Sequence, residues 1–140
     1  MLKKLLFLCA LFVLVGRAFA DIQTTLEIRG VVVRGGPVYV AVYSNENDYK
    51  AENPCMNFIL NPVSSTITRS FELPNGEYVV AVFQDVNSNG ILDTNIFGIP
   101  REPVGITNYN GRGWPGGFHK LKVPVNTNST KITVTMGNVR

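Results

Sequence analysis

Residues 73–83 read Leu-Pro-Asn-Gly-Glu-Tyr-Val-Val-Ala-Val-Phe and combine a tight turn with a strand. Proline presets φ at the second position of a turn, and glycine accepts a positive φ, so Pro74 and Gly76 predict a turn over residues 73–76. From Tyr78 onward, apolar residues occupy both alternating faces. This pattern predicts a strand over residues 78–83.

The same period-two alternation recurs through most of the chain after residue 20. Thr24, Leu26 and Ile28 share one face of a first predicted strand, which we expect to continue over Val31–Val33 after a bend at Gly30. Short strands separated by turn signals predict an all-β sandwich of about seven strands, and a small barrel is the alternative. Further strands are expected over residues 38–43 (as a central strand), 67–72, 121–125 and 132–136.

The first twenty residues have the three parts of a secretory signal peptide. Lys3 and Lys4 are followed by an unbroken apolar run, Leu5–Val15, and then by small residues at Ala18 and Ala20. The run is well short of the roughly 20 residues that a transmembrane helix needs, so we expect no transmembrane segment. We predict cleavage before Asp21 and an exported domain, residues 21–140, in the periplasm or outside the cell.

Charge argues against nucleic acid as a partner. The 140 residues include 13 Lys and Arg and 10 Asp and Glu, a formal net charge of +3. Lys3, Lys4 and Arg17 belong to the predicted signal peptide, and the remaining chain has ten basic and ten acidic residues. A balanced chain lacks the basic excess typical of phosphate-backbone binders.

Cysteine content excludes an internal disulfide after cleavage. Only Cys55 would remain, and we expect it to be a buried apolar filler, with an intermolecular bridge as the alternative.

Two long segments contain no predicted strand. Residues 44–62 are polar and irregular, with Tyr49 and Phe58 as expected anchors. Residues 84–117, which follow the strand ending near Gln84, are rich in Gly, Pro and Asn. Loops of this length in a compact domain are usually functional or are held by something other than their own packing.

The start of the second loop has oxygen-bearing side chains at alternate positions. A chain that curls around a small hard cation presents every second side chain inward and needs a glycine at the turn. In the numbering of an EF-hand loop, Gly90 takes position 6, and Ile91 would supply its backbone carbonyl at position 7. The side-chain ligands predicted at positions 1, 3, 5 and 9 are Asp85, Asn87, Asn89 and Asp93.

The twelfth position departs from an EF-hand, because Ile96 stands where the bidentate Glu would be. Glu102, Asn95, a backbone carbonyl or water could supply the missing ligands. Two carboxylates among amides favour calcium of weak affinity, on the order of 10⁻⁴ to 10⁻³ M, over magnesium. The alternative is a polar turn that bonds only its own backbone. Transition metals are disfavoured, since only Cys55 and His119 offer softer ligands.

A further pattern is carried by residues 73–78, 81–85, 87–90, 92–93 and 97–103, together with Gly105. These segments resemble a family of small exported bacterial proteins known as domain of unknown function 2141, and the resemblance spans about Leu26 to Met136. It implies an immunoglobulin-like or prealbumin-like β-sandwich exported from a Gram-negative-type cell, and no established activity. Asp85, Asn87, Asn89, Asp93 and Glu102 match the family pattern, which implies that they bind calcium here if the family loop does.

We therefore expect a monomeric, non-enzymatic module that binds a protein or carbohydrate partner. Its glycine-rich segment carries Phe97, Tyr109, Trp114 and Phe118, which could form a recognition face or fold back as a lid. A small hydrolase that uses the carboxylates of residues 85–102 is one alternative, and a carrier with an internal ligand is another. No nucleophile with an activating partner supports the hydrolase.

Overall fold

The computed structural model describes residues 20–140. The predicted signal peptide lies almost entirely outside the described residues, so its cleavage stays a prediction. Eight strands and two short helices follow one another along the described part of the chain. They are β1 (Ile22–Arg29), β2 (Val38–Tyr43), α1 (Glu46–Lys50), β3 (Met56–Leu60), β4 (Thr66–Leu73), β5 (Gly76–Gln84), β6 (Val104–Ile106), α2 (Phe118–Leu121), β7 (Val123–Val125) and β8 (Lys131–Thr135).

The strands form two sheets, which confirms the predicted all-β sandwich. The smaller sheet has the order β4-β1-β8, and its β1–β8 pair is parallel. The larger sheet has the order β3-β2-β5-β6, with β7 also paired to β5. Strand β2 lies between β3 and β5, as its two apolar faces predicted.

The core fills the space between the inward faces of the two sheets. Alternate residues of β1, β2 and β8 are buried, so the period-two pattern of these strands becomes the packed interface. The fully or almost fully buried side chains include Leu26, Ile28, Val40, Val80, Val82, Ile132 and Val134. The predicted turn lies between β4 and β5, and the Tyr78 hydroxyl fixes it by donating to the Pro74 carbonyl at 2.7 Å.

Two ion pairs at the exposed surface share Glu27 of β1, in the parallel part of the smaller sheet. Lys131 on β8 and Arg29 on β1 both contact the Glu27 carboxylate, at 2.7 and 2.6 Å. The hydrogen bond from Lys131, followed by that from Arg29, lowers the pKa of Glu27. The Lys131–Glu27 pair therefore links β8, the last strand of the chain, to β1, the first.

Three expectations about the strands were wrong. Residues 31–37 form a loop and do not continue β1, because Gly30 turns the chain with a φ of +77°. Residues 44–62 contain α1, which Asn45 caps by accepting from the Asp48 N–H at 2.9 Å, and the edge strand β3. Residues 84–117 contain β6, which pairs with the end of β5.

Leu121 and Cys55 also differ from what the sequence predicted, the first in secondary structure and the second in burial. Leu121 ends helix α2 and is not part of β7. Cys55 is exposed, and its thiol donates to the Val42 carbonyl at 3.3 Å, so it is not a buried filler.

A second apolar cluster covers the outer face of the larger sheet. Phe118 and Leu121 of α2 pack on Tyr43 and Val79, and Tyr49 of α1 packs against them. The two helices thus close one half of this face. No helix within residues 20–140 is long and apolar enough to cross a membrane.

Candidate cation site

Three loops meet at one end of the sandwich, which we call the loop end. They are residues 30–37, 61–65 and 85–103. Backbone hydrogen bonds join the first two loops, since the Val31 N–H donates to the Ser65 carbonyl at 3.1 Å and the Arg34 N–H to the Pro62 carbonyl at 3.2 Å. The candidate site belongs to the third loop.

The Gln84 side chain attaches the first loop to the start of the third. It is fully buried at the end of β5. Its Oε1 accepts from the Val32 N–H at 2.8 Å, and its Nε2 donates to the carbonyls of Val32 at 2.7 Å and Gly36 at 3.0 Å. One amide therefore satisfies three backbone groups, which fixes where residue 85 begins.

Gly36 allows the close approach of these two loops. Its φ is +92°, and a Cβ atom there would collide with the Asp85 carbonyl oxygen. In addition, the Asp85 N–H donates to the Pro37 carbonyl at 2.9 Å. The first residue of the candidate site is thus held by backbone contacts.

Asp85 organises the curl of the loop. Its carboxylate is buried, and its two oxygens accept from the N–H groups of Asn89 at 3.1 Å and Gly90 at 2.7 Å. Gly90 has a φ of +82°, the left-handed conformation that the motif predicted. The chain therefore wraps around the Asp85 carboxylate, while the predicted curl around an ion stays a prediction.

Asp93 is the point at which the other predicted side chains converge. The Asn87 amide lies 2.5 Å from Asp93 Oδ2, and the Asn89 amide nitrogen lies 3.0 Å from both Asp93 oxygens. The Oδ1 atoms of the two amides accept from the N–H groups of Asn89 at 3.2 Å and Ile91 at 3.1 Å. Asn87 and Asn89 would present oxygens to a cation beside Asp93 only after a half-turn of each amide that gives up this backbone bond.

Glu102 closes the loop from the other side. It is buried, with Oε1 accepting from the Val86 N–H at 2.9 Å and Oε2 accepting from the Asp93 N–H at 3.0 Å. The Arg101 N–H donates to the Asp93 carbonyl at 2.8 Å. These bonds place Asp93 beside the two amides and give Glu102 a bracing role, as the bonds from the Asn89 and Gly90 N–H groups do for Asp85.

Of the two remaining candidate ligands, one is already used in a turn and the other has no hydrogen-bond partner in the described part of the chain. The Asn95 Oδ1 accepts from the N–H groups of Phe97 and Ile99 at 2.9 and 3.0 Å, so it stabilises its own turn. None of the hydrogen bonds found within residues 20–140 engages the Ile91 carbonyl, which leaves that predicted ligand free. No group of three or more His, Cys, Asp or Glu in this part of the chain could hold a metal. A cation here would depend on amide and backbone oxygens in addition to the carboxylates of Asp85 and Asp93.

The other functional candidates lie apart from this loop. His119 is exposed and pairs with Glu46 at 3.1 Å. Two surface depressions lie at the opposite end of the sandwich, near Ile22, Asn75 and Tyr78.

The aromatic residues of the glycine-rich segment behave differently from one another. Phe118 folds back into the outer cluster, as the lid interpretation expected. Trp114 is 81% exposed, so the expectation that it folds back together with Phe118 was wrong.

Comparison with known proteins gives a family and no close relative. The model of a family described as "Uncharacterized protein conserved in bacteria (DUF2141)" matches residues 26–133. No curated protein and no solved structure matches the chain.

Proposed function

This chain belongs to the bacterial family DUF2141, and we propose that it is an exported, non-enzymatic binding module whose Asp85–Asp93 loop holds calcium. The convergence of the Asn87 and Asn89 amides on the Asp93 carboxylate carries the proposal. Four backbone N–H groups that bond Asp85 and Glu102 fix this arrangement before any ion arrives. Because the frame is preformed, binding orders few additional residues.

The donor set favours calcium among the common cations. Carboxylate, amide and backbone carbonyl oxygens are hard ligands, and calcium accepts six to eight of them in flexible geometry. Asp85, Asn87, Asn89 and Asp93 supply side-chain oxygens, the Ile91 carbonyl supplies a fifth, and water completes the shell. We expect an affinity on the order of 10⁻⁴ to 10⁻³ M, which suits an extracellular module.

The same contacts support a binding role over hydrolysis. A carboxylate pair for general acid and base catalysis needs two groups that can reach a substrate. Asp85 and Glu102 are buried, and all four of their oxygens accept backbone N–H bonds. Only Asp93 remains partly exposed, so the alternative of a small hydrolase would have one carboxylate to use. A carrier role is the other alternative, and it would require a ligand cavity inside the sandwich.

Calcium is expected to raise the melting temperature of the mature domain. At ten times its Kd, calcium adds about 1.4 kcal/mol to the free energy of unfolding. This corresponds to about 3–6 °C for a domain of this size. The measurement is thermal unfolding by circular dichroism in chelator, in calcium and in magnesium. Relative to chelator, we expect magnesium to raise the melting temperature less than calcium does.

Two variants make this test specific. Asp93→Asn removes a ligand charge and should abolish the calcium-dependent rise, while Asn57→Ala, at an exposed position on β3, should leave it unchanged. An equal rise in Asp93→Asn and wild type, or no rise in wild type at 10 mM calcium, would contradict the proposal.

A further inference from the structure

Three Asn-Gly pairs in the described part of the chain are chemically able to lose the asparagine amide spontaneously. In this reaction the main-chain nitrogen that follows an asparagine attacks the side-chain carbonyl carbon, Cγ. Glycine has no Cβ to obstruct the approach, so the surroundings of each pair decide which one reacts. The pairs are Asn75-Gly76, Asn89-Gly90 and Asn110-Gly111.

The Asn110-Gly111 pair has the arrangement that the attack requires. Asn110 is exposed, and its Oδ1 accepts from the Arg112 N–H at 3.0 Å. This bond folds the side chain over the Gly111 peptide, which brings Cγ toward the Gly111 nitrogen, and it draws electron density away from Cγ. Gly111 has a φ of +76°, and apart from its chain neighbours no atom lies within 4 Å of the position that a Cβ would take.

Neither reacting group of this pair is engaged elsewhere. The Gly111 N–H and the Asn110 Nδ2 have no hydrogen-bond acceptor within residues 20–140. The nitrogen can therefore lose its proton to hydroxide from the solvent, and the amide can leave as ammonia, without the loss of a stabilising contact.

The Asn89-Gly90 pair has the same local bend, but both of its reacting groups are held. Asn89 Oδ1 accepts from the Ile91 N–H at 3.1 Å, and Gly90 has a φ of +82°. The Gly90 N–H donates to the buried Asp85 carboxylate at 2.7 Å, and Asn89 Nδ2 donates to both Asp93 oxygens at 3.0 Å. These charge-assisted bonds must break before the nitrogen can attack or the amide can leave.

The Asn75-Gly76 pair lacks the bend. None of the hydrogen bonds found within residues 20–140 engages the Asn75 side chain, and Gly76 lies in β5 opposite Val125 of β7. A glycine held in a strand keeps its nitrogen in the sheet, so the nitrogen cannot turn toward Cγ.

We propose that Asn110 is a self-modification site of the folded protein, while the same dipeptide in the cation loop is protected. The Gly111 nitrogen forms a bond to Asn110 Cγ, the Cγ–Nδ2 bond breaks, and the amide leaves as ammonia with the proton from Gly111. Water then opens the resulting succinimide. Its cleavage at Cγ gives aspartate, and its cleavage at the main-chain carbonyl of residue 110 gives isoaspartate. Water is the only co-reactant, and the reaction does not depend on calcium.

Isoaspartate at residue 110 would release the segment that follows it, residues 110–117. The Tyr109 hydroxyl donates to the Gly113 carbonyl at 2.5 Å. The Arg140 N–H donates to the Gly111 carbonyl at 2.9 Å, and the Arg140 carbonyl accepts from the Gly113 N–H at 3.1 Å. Isoaspartate adds a methylene to the main chain and a carboxylate within this set of bonds, so their register is lost. The reaction is thus a slow, one-way release of the segment that carries the exposed Trp114.

Peptide mapping of the mature domain after incubation in mildly alkaline buffer tests the site. The domain is digested at acidic pH, where the reaction is slow, and mass spectrometry measures aspartate and isoaspartate in each of the three Asn-Gly peptides. In the folded domain we expect conversion at Asn110 at least about tenfold faster than at Asn89, because bonds to charged groups must break at Asn89. In denaturant the three rates should become similar. The folded-state ranking should be the same in chelator and in calcium.

Two variants check the chemistry. Asn110→Gln cannot close the succinimide ring and should show no conversion at residue 110. Gly111→Ala places a methyl group beside the attacking nitrogen and should slow the conversion of Asn110, and melting curves establish that both variants are folded. Hydrogen–deuterium exchange reports the release, since the Gly113 N–H should lose its protection in the isoaspartate fraction and keep it in Asn110→Gln.

Three results would overturn these inferences. Equal rates at Asn110 and Asn89 in the folded domain would contradict the selective site. An Asn110 that stays intact in the folded domain while it converts in denaturant would also contradict it. Unchanged protection of the Gly113 N–H in the isoaspartate fraction would contradict the release of residues 110–117.

Discussion

Replacing Gln84 with methionine is expected to lower the free energy of unfolding by about 2–4 kcal/mol. Methionine has a similar length and fills the same space, so little packing is lost. It leaves the Val32 N–H and the carbonyls of Val32 and Gly36 without their partner. Each unsatisfied buried group costs about 1–3 kcal/mol, and partial access of water to the loop reduces the sum.

Chemical denaturation measures this loss, and the matched control is Gln23→Met. Gln23 is an exposed residue of β1, and its replacement should change the stability by less than about 0.5 kcal/mol. A loss for Gln84→Met as small as that of the control would show that the amide does not hold the loops together.

Replacing Glu102 with alanine is expected to cost about 2–4 kcal/mol, because two charge-assisted hydrogen bonds to backbone are lost. Glu102→Gln keeps one acceptor oxygen but points an amide N–H₂ at a backbone donor, so it should also be destabilising. Since Glu102 braces the Val86 and Asp93 backbone, the loss should be as large in chelator as in calcium.

Comparing the stability loss of Glu102→Ala in chelator and in calcium distinguishes a bracing role of Glu102 from metal ligation. A ligand contributes only when the ion is present, so a loss seen in calcium but absent in chelator would contradict the bracing role. Glu72→Gln, at an exposed position on β4, serves as the control and should leave stability nearly unchanged in both buffers. Denaturant midpoints in the two buffers provide the measurement.

The strands that could be predicted most directly from sequence are those with uninterrupted alternation, and β4 and β7 were also expected, over residues 67–72 and 121–125. β1, β2, β5 and β8 each place at least two apolar residues on one face, and the turn at Pro74 and Gly76 marks a clear boundary. β6 was not predicted, because a strand of three residues with a central glycine is too short to show an alternating apolar pattern. α1 was not predicted, because five residues are too few to show a helical apolar pattern, although Asn45 and Asp48 carry an N-cap signal.

Only the part of the candidate site that depends on local sequence could be predicted. Alternating oxygens from Asp85 to Asp93 are a local signal, and the chain curls locally as they indicate. The role of Glu102 depends on donors sixteen and nine residues away, and that of Gln84 on groups about fifty residues away. Spacing carries no information about such contacts, so Glu102 could only be considered as a possible ligand and Gln84 was missed.

The most direct test of the calcium-holding loop is a titration of the ¹⁵N-labelled mature domain with calcium, followed by amide chemical shifts. We predict saturable shifts concentrated in residues 85–93, with a midpoint on the order of 10⁻⁴ to 10⁻³ M. These shifts should disappear in Asp93→Asn. Shifts that never saturate, or an unchanged response in Asp93→Asn, would contradict the account.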